Sequence, residues 1–408
     1  MKIMFLYMFP LWGNGSGAWL RALSKEMVKD GHEVAIVSPE KRKLEGVKQF
    51  LVKPPQMGVF VGNPELPNAK KYEEMTGVEL SKIYTSYIDT TIAAVKEFEP
   101  EIIHAFHTAF LPPVARLAKI FYGIRFIVTT HGSDLHYLNR DKRLIGLIKD
   151  AVRVCAMVTA NSNFTRRWFL KMFGPEWARK IRTIPGGVYL SEYERKEENI
   201  SLLNKKYNLA GKKVVLFTGR LTEHKGVDIL IKAARLIHGE VIILGDGPER
   251  NNLENLIKQY KLTNVKILGY MSPKEQVNFK TFYNRADVYV APSTWHEPLG
   301  LVILEAMAGR TPVIATRKGG VASIVKDGYN GFLVRARNAK EIAEKVNLLL
   351  ENDALRQKMT ERAYETVASK FTWDKIAEKF ARIYHRYAFT TKEYLRLVKA
   401  APKPNNGK

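Results

Sequence analysis

Two carboxylates, Glu297 and Glu305, fall within one stretch, Ala291 to Gly320, APSTWHEPLGLVILEAMAGRTPVIATRKGG. The pattern reads as a strand ending at Ala291 (from Asp287), a loop carrying Glu297, and a helix from Leu301 to Ala308. Gly309 stops the helix and a new strand runs from Thr311 to Ala315. The neighbours of Glu305 in that helix are Leu301, Val302, Ile303, Leu304, Ala306, Met307 and Ala308, so the helix is expected to be buried nearly all round. An unpaired carboxylate there costs on the order of several kcal/mol, so a protein cation or a ligand should meet it. A salt-bridged core acid is the structural alternative. Glu297 lies just ahead of a helix N-terminus, whose free N–H groups and positive dipole end suit a phosphate. Both carboxylates can accept hydrogen bonds from hydroxyls, Glu297 at the helix mouth and Glu305 about two turns deeper. Phosphate between two sets of hydroxyls outlines a nucleoside diphosphate sugar.

Other loops at strand ends carry matching chemistry. Val214 to Thr218 reads as a strand; Arg220 and Lys225 follow it in GRLTEHKG, with Lys225-Gly226 opening the next helix. A guanidinium fork and an ammonium point charge can together clamp a diphosphate, although solvated surface cations are the commoner use of such residues. Near the amino terminus, strand Lys2 to Tyr7 leads into Gly13, Gly15, Ser16 and Gly17, then a helix from Ala18 to Lys29. The glycine spacing departs from the dinucleotide fingerprint and no acid ends the next strand, Glu33 to Val37. Such glycines let backbone amides approach a phosphate or sugar, or serve a tight turn alone. His107 follows strand Glu101 to Ala105, and His131 follows strand Arg125 to Thr129 in Thr130-His131-Gly132-Ser133-Asp134-Leu135. Two histidines beyond carboxyl ends of neighbouring strands favour a site over packing or capping roles.

The segment HEPLGLVILEAMAGRTPVIAT closely resembles the signature of family 4 of the retaining glycosyltransferases, with its two glutamates separated by seven residues. The resemblance covers essentially the whole chain. It implies an α/β fold of GT-B architecture: two doubly wound, Rossmann-like parallel-sheet domains facing a central cleft, with a C-terminal helix crossing back to the first domain. It also implies a retaining transfer from a nucleoside diphosphate sugar to a hydroxyl acceptor. Arg220 and Lys225 match the family's diphosphate cations. Glu297, Pro298, Leu299, Gly300, Leu301 and Glu305 match its donor loop and helix. Gly15, Ser16 and Gly17 correspond to a loop facing donor phosphate and acceptor. Gly269 and Tyr270 fall in a turn that meets the nucleobase through main-chain groups, so the side chains leave UDP-, GDP- and ADP-linked donors open. His131 matches the family's histidine near the donor's reacting carbon, where it would steady an oxocarbenium-like state; His107 and Asp134 fall on the acceptor side. Where the family continues with Asn-Gly and an Asp, this chain has Pro185-Gly186-Gly187-Val188-Tyr189, so contacts from that Asn or Asp are not carried over. No aspartates stand at i and i+2, which removes the usual metal route to a sugar diphosphate. No cofactor beyond the donor is expected.

The chain must be able to build these elements. Its 408 residues suffice for two cores, expected at 1–190 with a returning helix at about 374–388, and at 200–372, with a mobile basic tail at 389–408. Residues 39–72 read as an Ω-like loop or short hairpin on the acceptor side, and charged residues through Glu198 as the interdomain linker. The opening MKIMFLYMFPLW reads as a first strand and not a signal peptide, and no apolar run reaches the ~18 residues of a membrane span. One cysteine, Cys155, excludes internal disulfides, fits a reducing cytoplasm and looks like core packing. The net charge of +24 implies attraction to anions: nucleotides, nucleic acid or an acidic membrane surface, with a solvated lysine-rich surface as the plain alternative. No nucleic-acid recognition motif is present, so nucleic acid is not an expected partner. An anionic membrane surface stays open, and with it peripheral attachment at the inner face of the membrane. The helix containing Trp168, Phe169, Met172 and Phe173 is either a membrane-surface helix or packed by one aromatic face. A sugar-nucleotide epimerase of GT-B fold, or a basic protein without enzymatic activity, are the rival readings.

Overall fold

The computed structural model of the chain describes residues 1–60, 66, 69–271 and 276–388. They form two compact units, one of Met1–Ile184 with the chain from Ile376, the other of Pro185–Lys375.

The first unit contains β1 (Lys2–Leu6), β2 (Glu33–Ser38), β3 (Val47–Leu51), β4 (Gly58–Val59), β5 (Lys70–Lys71), β6 (Ile102–Phe106), β7 (Phe126–Thr130), β8 (Met157–Ala160) and β9 (Ile181–Thr183). Seven of these make one sheet in the order β3-β2-β1-β6-β7-β8-β9, every pair parallel. The central strands read as continuous apolar runs because helices cover both faces of a parallel sheet, and every residue of β6, β7 and β8 is buried. Strand order reverses between β1 and β6, so the loops leaving those two strands open at a topological switch point.

The second unit repeats the plan with β10 (Val214–Thr218), β11 (Glu240–Leu244), β12 (Val265–Gly269), β13 (Val288–Ala291), β14 (Val313–Thr316) and β15 (Gly331–Val334). Its parallel order, β12-β11-β10-β13-β14-β15, places the switch between β10 and β13. Those two strands deliver the loops of Arg220/Lys225 and of Glu297.

Several local expectations change. Among the described residues of 39–72, parallel pairings stand where a hairpin or Ω-like loop was expected: β3 extends the sheet parallel to β2, and β4 pairs with β5 in parallel. The first helix begins at Gly15 and not Ala18, because the Asn14 side chain accepts the Gly17 N–H at 2.7 Å and caps it. The glycines are therefore partly helix. The charged stretch expected as a linker through Glu198 holds a short 3-10 turn at Leu190–Tyr193, and from Glu197 the chain enters helix Glu197–Tyr207 of the second unit. In helix Asn163–Phe173, Phe169 and Phe173 are buried and stack at 4.3 Å while Arg167 and Lys171 are exposed, so one aromatic face packs inward. From Ile376 onward the helix Trp373–Tyr387 belongs to the first unit. There Tyr384 meets His104 Nδ1 at 2.8 Å, and His104 Nε2 meets Thr129 Oγ1 at 2.6 Å, all three side chains being buried. Cys155 is buried, and burial pushes its thiol up to about 12. No helix among the described residues is long and apolar enough to cross a membrane. The tail expected at 389–408 lies outside the described residues.

Candidate active site

In the second unit, three loops interlock through glycines. Gly226 has φ +66°, and a Cβ there would stand 2.3 Å from the Pro292 carbonyl oxygen. Gly319, at φ +65°, would put a Cβ 2.2 Å from the Glu297 carbonyl oxygen, and the Gly320 N–H donates to that oxygen at 2.6 Å. Only residues without a side chain allow this approach. The loops after β10, β13 and β14 are thereby fixed on one another.

The result is a direct pair: Lys225 Nζ lies 2.5 Å from Glu297 Oε1, and Ser293 Oγ donates to the same oxygen at 2.8 Å. Burial works to raise the Glu297 pKa, but the Lys225 charge and the two hydrogen bonds outweigh it and hold the carboxyl below its ordinary range. Arg220, half-buried in the same loop as Lys225, has its pKa lowered by burial yet stays a cation at neutral pH. Helix Leu301–Ala308 starts after Gly300, at φ +93°, with no side-chain cap and no acid in its first turn. Its leading N–H groups, beyond the half-buried Pro298 and the buried Leu299, suit an anion.

Glu305 meets no cation in a salt bridge among the described residues; its partner within the protein is the Tyr283 hydroxyl, which donates to Oε2 at 2.6 Å. Thr218 Oγ1 meets the Tyr283 hydroxyl at 2.7 Å and that of Tyr289 at 3.1 Å, so the acid ends a polar chain. Burial raises its pKa, opposed by the Tyr283 hydrogen bond and the charge of Lys280. At the far side of the sheet Gly269 has φ +82° and Tyr270 is exposed. Sequence reasoning passed over Arg250, whose guanidinium lies against Gly269: a Cβ on Gly269 would be 3.0 Å from Nη1. Arg250 is held by Asp246 and Glu254, both at 2.9 Å; their spacing of four on either side was the available signal.

In the first unit, the two histidines come together with ring centroids 4.9 Å apart. His107 has φ +69°, which few residues other than glycine adopt, and Phe110 nearby has φ +85°. Asp134 holds this backbone. Its buried carboxylate accepts the Thr108 N–H at 2.6 Å, the Gly132 N–H at 2.8 Å and the His131 N–H at 3.1 Å, joining the loops after β6 and β7. Asp134, expected on the acceptor side, turns both oxygens inward onto backbone amides, and three convergent N–H donors in a dry interior are well met by a charged acceptor. Burial, with a smaller contribution from the neighbouring ring of the pair, takes His131 to about 3 despite Asp134, and burial takes His107 to about 3 also. Both imidazoles are neutral at physiological pH. His107 Nδ1, His131 Nε2, Thr108 Oγ1, Thr130 Oγ1 and Asn161 Oδ1 are buried with no partner among the described residues. Buried polar atoms are nearly always paired, so a group of orphans at strand ends marks a place for a polar ligand. Ser16 sits beside it in the chain of contacts, its Oγ 2.9 Å from the Tyr7 hydroxyl and 3.0 Å from Asn14 Oδ1, while Gly15 is exposed and Gly17 packs on the Leu11 carbonyl.

Two Rossmann-like units of this topology define a class, the GT-B fold. Solved structures share it: sucrose-phosphate synthase from Thermosynechococcus elongatus superposes with a TM-score of 0.78 at 20% identity, covering 95% of this chain and 99% of that one. Anabaena HepE in complex with UDP does so with a TM-score of 0.73 at 21% identity, covering 95% and 100%. The sequence narrows the class. Residues 13–192 match the model of glycosyltransferase family 4, and residues 200–366 that of the group 1 glycosyl transferases. An uncharacterized glycosyltransferase of Methanocaldococcus jannaschii is 31% identical over 301 residues, 70% of this chain and 76% of the relative. The N-acetyl-alpha-D-glucosaminyl L-malate synthase of Bacillus anthracis is 27% identical over 385 residues, 91% of this chain and 94% of the relative. The chain belongs to the family 4 glycosyltransferases.

Proposed function

We propose that the protein transfers a sugar from a nucleoside diphosphate sugar to a hydroxyl acceptor, with retention of the anomeric configuration and without a metal ion. The observation that carries this reading is the Lys225–Glu297 pair at 2.5 Å, built at the mouth of an uncapped helix and beside the Arg220 loop. Two cations and a helix N-terminus can take the charge that develops on a leaving diphosphate, so the protein itself supplies what a metal would otherwise supply. When the diphosphate arrives, Lys225 exchanges one carboxylate partner for phosphate oxygens. That frees Glu297 to accept hydrogen bonds from the donor sugar. Glu305, with its raised pKa and tyrosine partner, is suited to a neutral hydroxyl, as on a ribose or sugar. Gly269 and Tyr270 form the turn assigned to the nucleobase.

The acceptor belongs to the first unit, where the orphaned atoms around His107 and His131 offer hydrogen bonds to hydroxyl groups. A neutral His131 can accept or share a proton without adding charge that would repel an oxocarbenium-like centre. Retention follows if the acceptor attacks on the face the diphosphate leaves, with a phosphate oxygen of the donor taking the hydroxyl proton. The net charge of +24 fits an anionic donor and leaves room for an anionic membrane surface as a further partner.

The reading is tested with purified protein and a panel of UDP-, GDP- and ADP-sugars. A true donor raises the melting temperature by mass action and is consumed in the presence of EDTA. Glu297→Ala and Lys225→Ala each lose most turnover while remaining folded. Near-normal rates in either variant, inversion at the anomeric carbon by NMR, or conversion of donor to an epimer without acceptor would overturn it.

A further inference from the structure

The amino edge of the first sheet, opposite the loops of His107 and His131, carries a different chemistry. Helix Leu111–Tyr122 ends there at Gly123, and its last turn leaves Ile120 60% and Phe121 64% exposed. Exposed apolar side chains scattered singly are ordinary; here two consecutive large ones stand in water. The ladder places neighbouring chain at the same edge. The Ala156 N–H donates to the Phe126 carbonyl at 2.8 Å and the Val158 N–H to the Lys180 carbonyl at 3.0 Å, so the starts of β7, β8 and β9 lie side by side.

That edge is basic. Lys119, one residue before Ile120, donates to the Val154 carbonyl at 2.7 Å. Arg179 is exposed at the end of the 3-10 turn Pro175–Arg179, and Lys180 stands 5.6 Å over the Trp177 ring. None of these three cations pairs with a carboxylate among the described residues. Burial lowers the Lys119 pKa and the charge of Lys180 adds to the shift, which puts the two cations within one field. The acid of the turn, Glu176, is folded back on Gly174, where a Cβ would stand 2.1 Å from its Oε2.

An uncovered Ile-Phe pair beside uncompensated positive charge fits a partner with anions at its surface and hydrocarbon just beneath. Nucleic acid would meet the cations and leave the apolar pair in water. A second copy of this chain would set positive charge against positive charge. A bilayer containing anionic lipid meets both needs. No helix among the described residues is long and apolar enough to cross it, so the contact is interfacial.

We propose that Ile120 and Phe121, with Lys119, Arg179 and Lys180 beside them, dock the first unit on an anionic lipid surface, the apolar pair entering the headgroup boundary. The five residues of β7 hold this edge about 17 Å from the loop at the strand's other end, so docking leaves the histidine loops uncovered. The surface does not depend on the glycosyl-transfer reading: vesicle binding and turnover of soluble substrates are separate measurements, and either can fail alone.

The full chain is co-sedimented with vesicles of phosphatidylglycerol in phosphatidylcholine, and with phosphatidylcholine alone, at low and at physiological salt. Binding to the anionic vesicles only, weakened by salt, is expected. Ile120→Ser/Phe121→Ser and Arg179→Gln/Lys180→Gln should each weaken it by about tenfold or more, with the melting temperature kept. If the first variant does not fold, Phe121→Cys labelled with an environment-sensitive dye reads the same contact, since Cys155 is buried. Its emission should shift to the blue on anionic vesicles alone. No binding to anionic vesicles, undiminished binding in either double variant, or an unshifted dye overturns the proposal. Binding of single-stranded DNA that is lost with Arg179 and Lys180 but kept without Ile120 and Phe121 assigns the cations to nucleic acid and overturns it too.

Discussion

Asp134→Asn tests whether this residue holds the two histidine loops or meets a substrate. The native carboxylate accepts three backbone N–H groups, two on Oδ1 and one on Oδ2, from segments 24 residues apart. An amide of the same shape has one oxygen and one NH2. With its oxygen in the place of Oδ1 it keeps the Gly132 and His131 bonds and points an N–H at the N–H of Thr108. The reverse orientation loses two bonds. A lost bond to a charged acceptor costs about 1.5–3 kcal/mol, and a buried donor left facing another donor adds to that. A net loss of roughly 2–4 kcal/mol in the first unit corresponds to a fall of roughly 5–15 °C in its melting temperature, for a unit of this size. Released from Thr108, the strained backbone at His107 and Phe110 relaxes, and a displacement of about 1 Å at a reacting group can lower turnover by roughly a hundredfold. Donor KM should hold, because the donor groups are carried by the second unit. Scanning calorimetry and steady-state kinetics give both readouts. A variant that melts and turns over like the unaltered protein refutes the positioning role. One that keeps its melting temperature but loses turnover returns Asp134 to direct contact with the acceptor.

Four further outcomes are expected. Gly319→Ala forces a Cβ to within 2.2 Å of the Glu297 carbonyl at φ +65° and should destabilise the second unit by about 1–3 kcal/mol from backbone strain alone, with loss of donor-induced stabilisation in a thermal-shift assay. Tyr283→Phe removes the 2.6 Å hydrogen bond to Glu305 and should cost about 1.5–3 kcal/mol in denaturant unfolding of the same unit. Because the Glu297 pKa is held below its ordinary value of 4.5, its ionised form contributes stability above that pH and loses it as pH falls through the lower folded value; the stability difference between the unaltered protein and Glu297→Gln should shrink below pH 4.5. His107 and His131, lowered from 6.5 to about 3, take up protons in the unfolded chain first, so first-unit stability should fall as pH drops below 6.5, with a shallower slope in His107→Gln. NMR showing either imidazole charged in the folded protein at pH 6 would contradict this.

The elements that bear the site were legible in sequence because a parallel sheet covered on both faces writes its strands as unbroken apolar runs. β10 begins and ends where the pattern places it, and the helix Leu301–Ala308 likewise, since Gly300 and Gly309 punctuate it. Residues 39–72 were not legible. The edge strand β3 is short and only half-buried, and β4 and β5 have two residues each, too few to set a period. Helices Ser133–Arg140 and Ile145–Arg153 also escaped notice, since a loop motif was read where a helix cap stands.

At the site, residue type and position beyond a strand's carboxyl end marked Arg220, Lys225, Glu297, His107 and His131, because those ends are where an open parallel sheet exposes its loops. What each side chain touches was decided only by folding. Lys225 and Glu297 are 72 residues apart in the chain and meet because Gly226 and Gly319 let three loops close on one another. Glu305 found a tyrosine where a cation or a ligand was expected, and Asp134, expected on the acceptor side, turned to three buried amides. Burial and partner choice depend on contacts between segments distant in sequence; the identity of a residue fixes what bonds it can make, and only the packed chain fixes which ones it does.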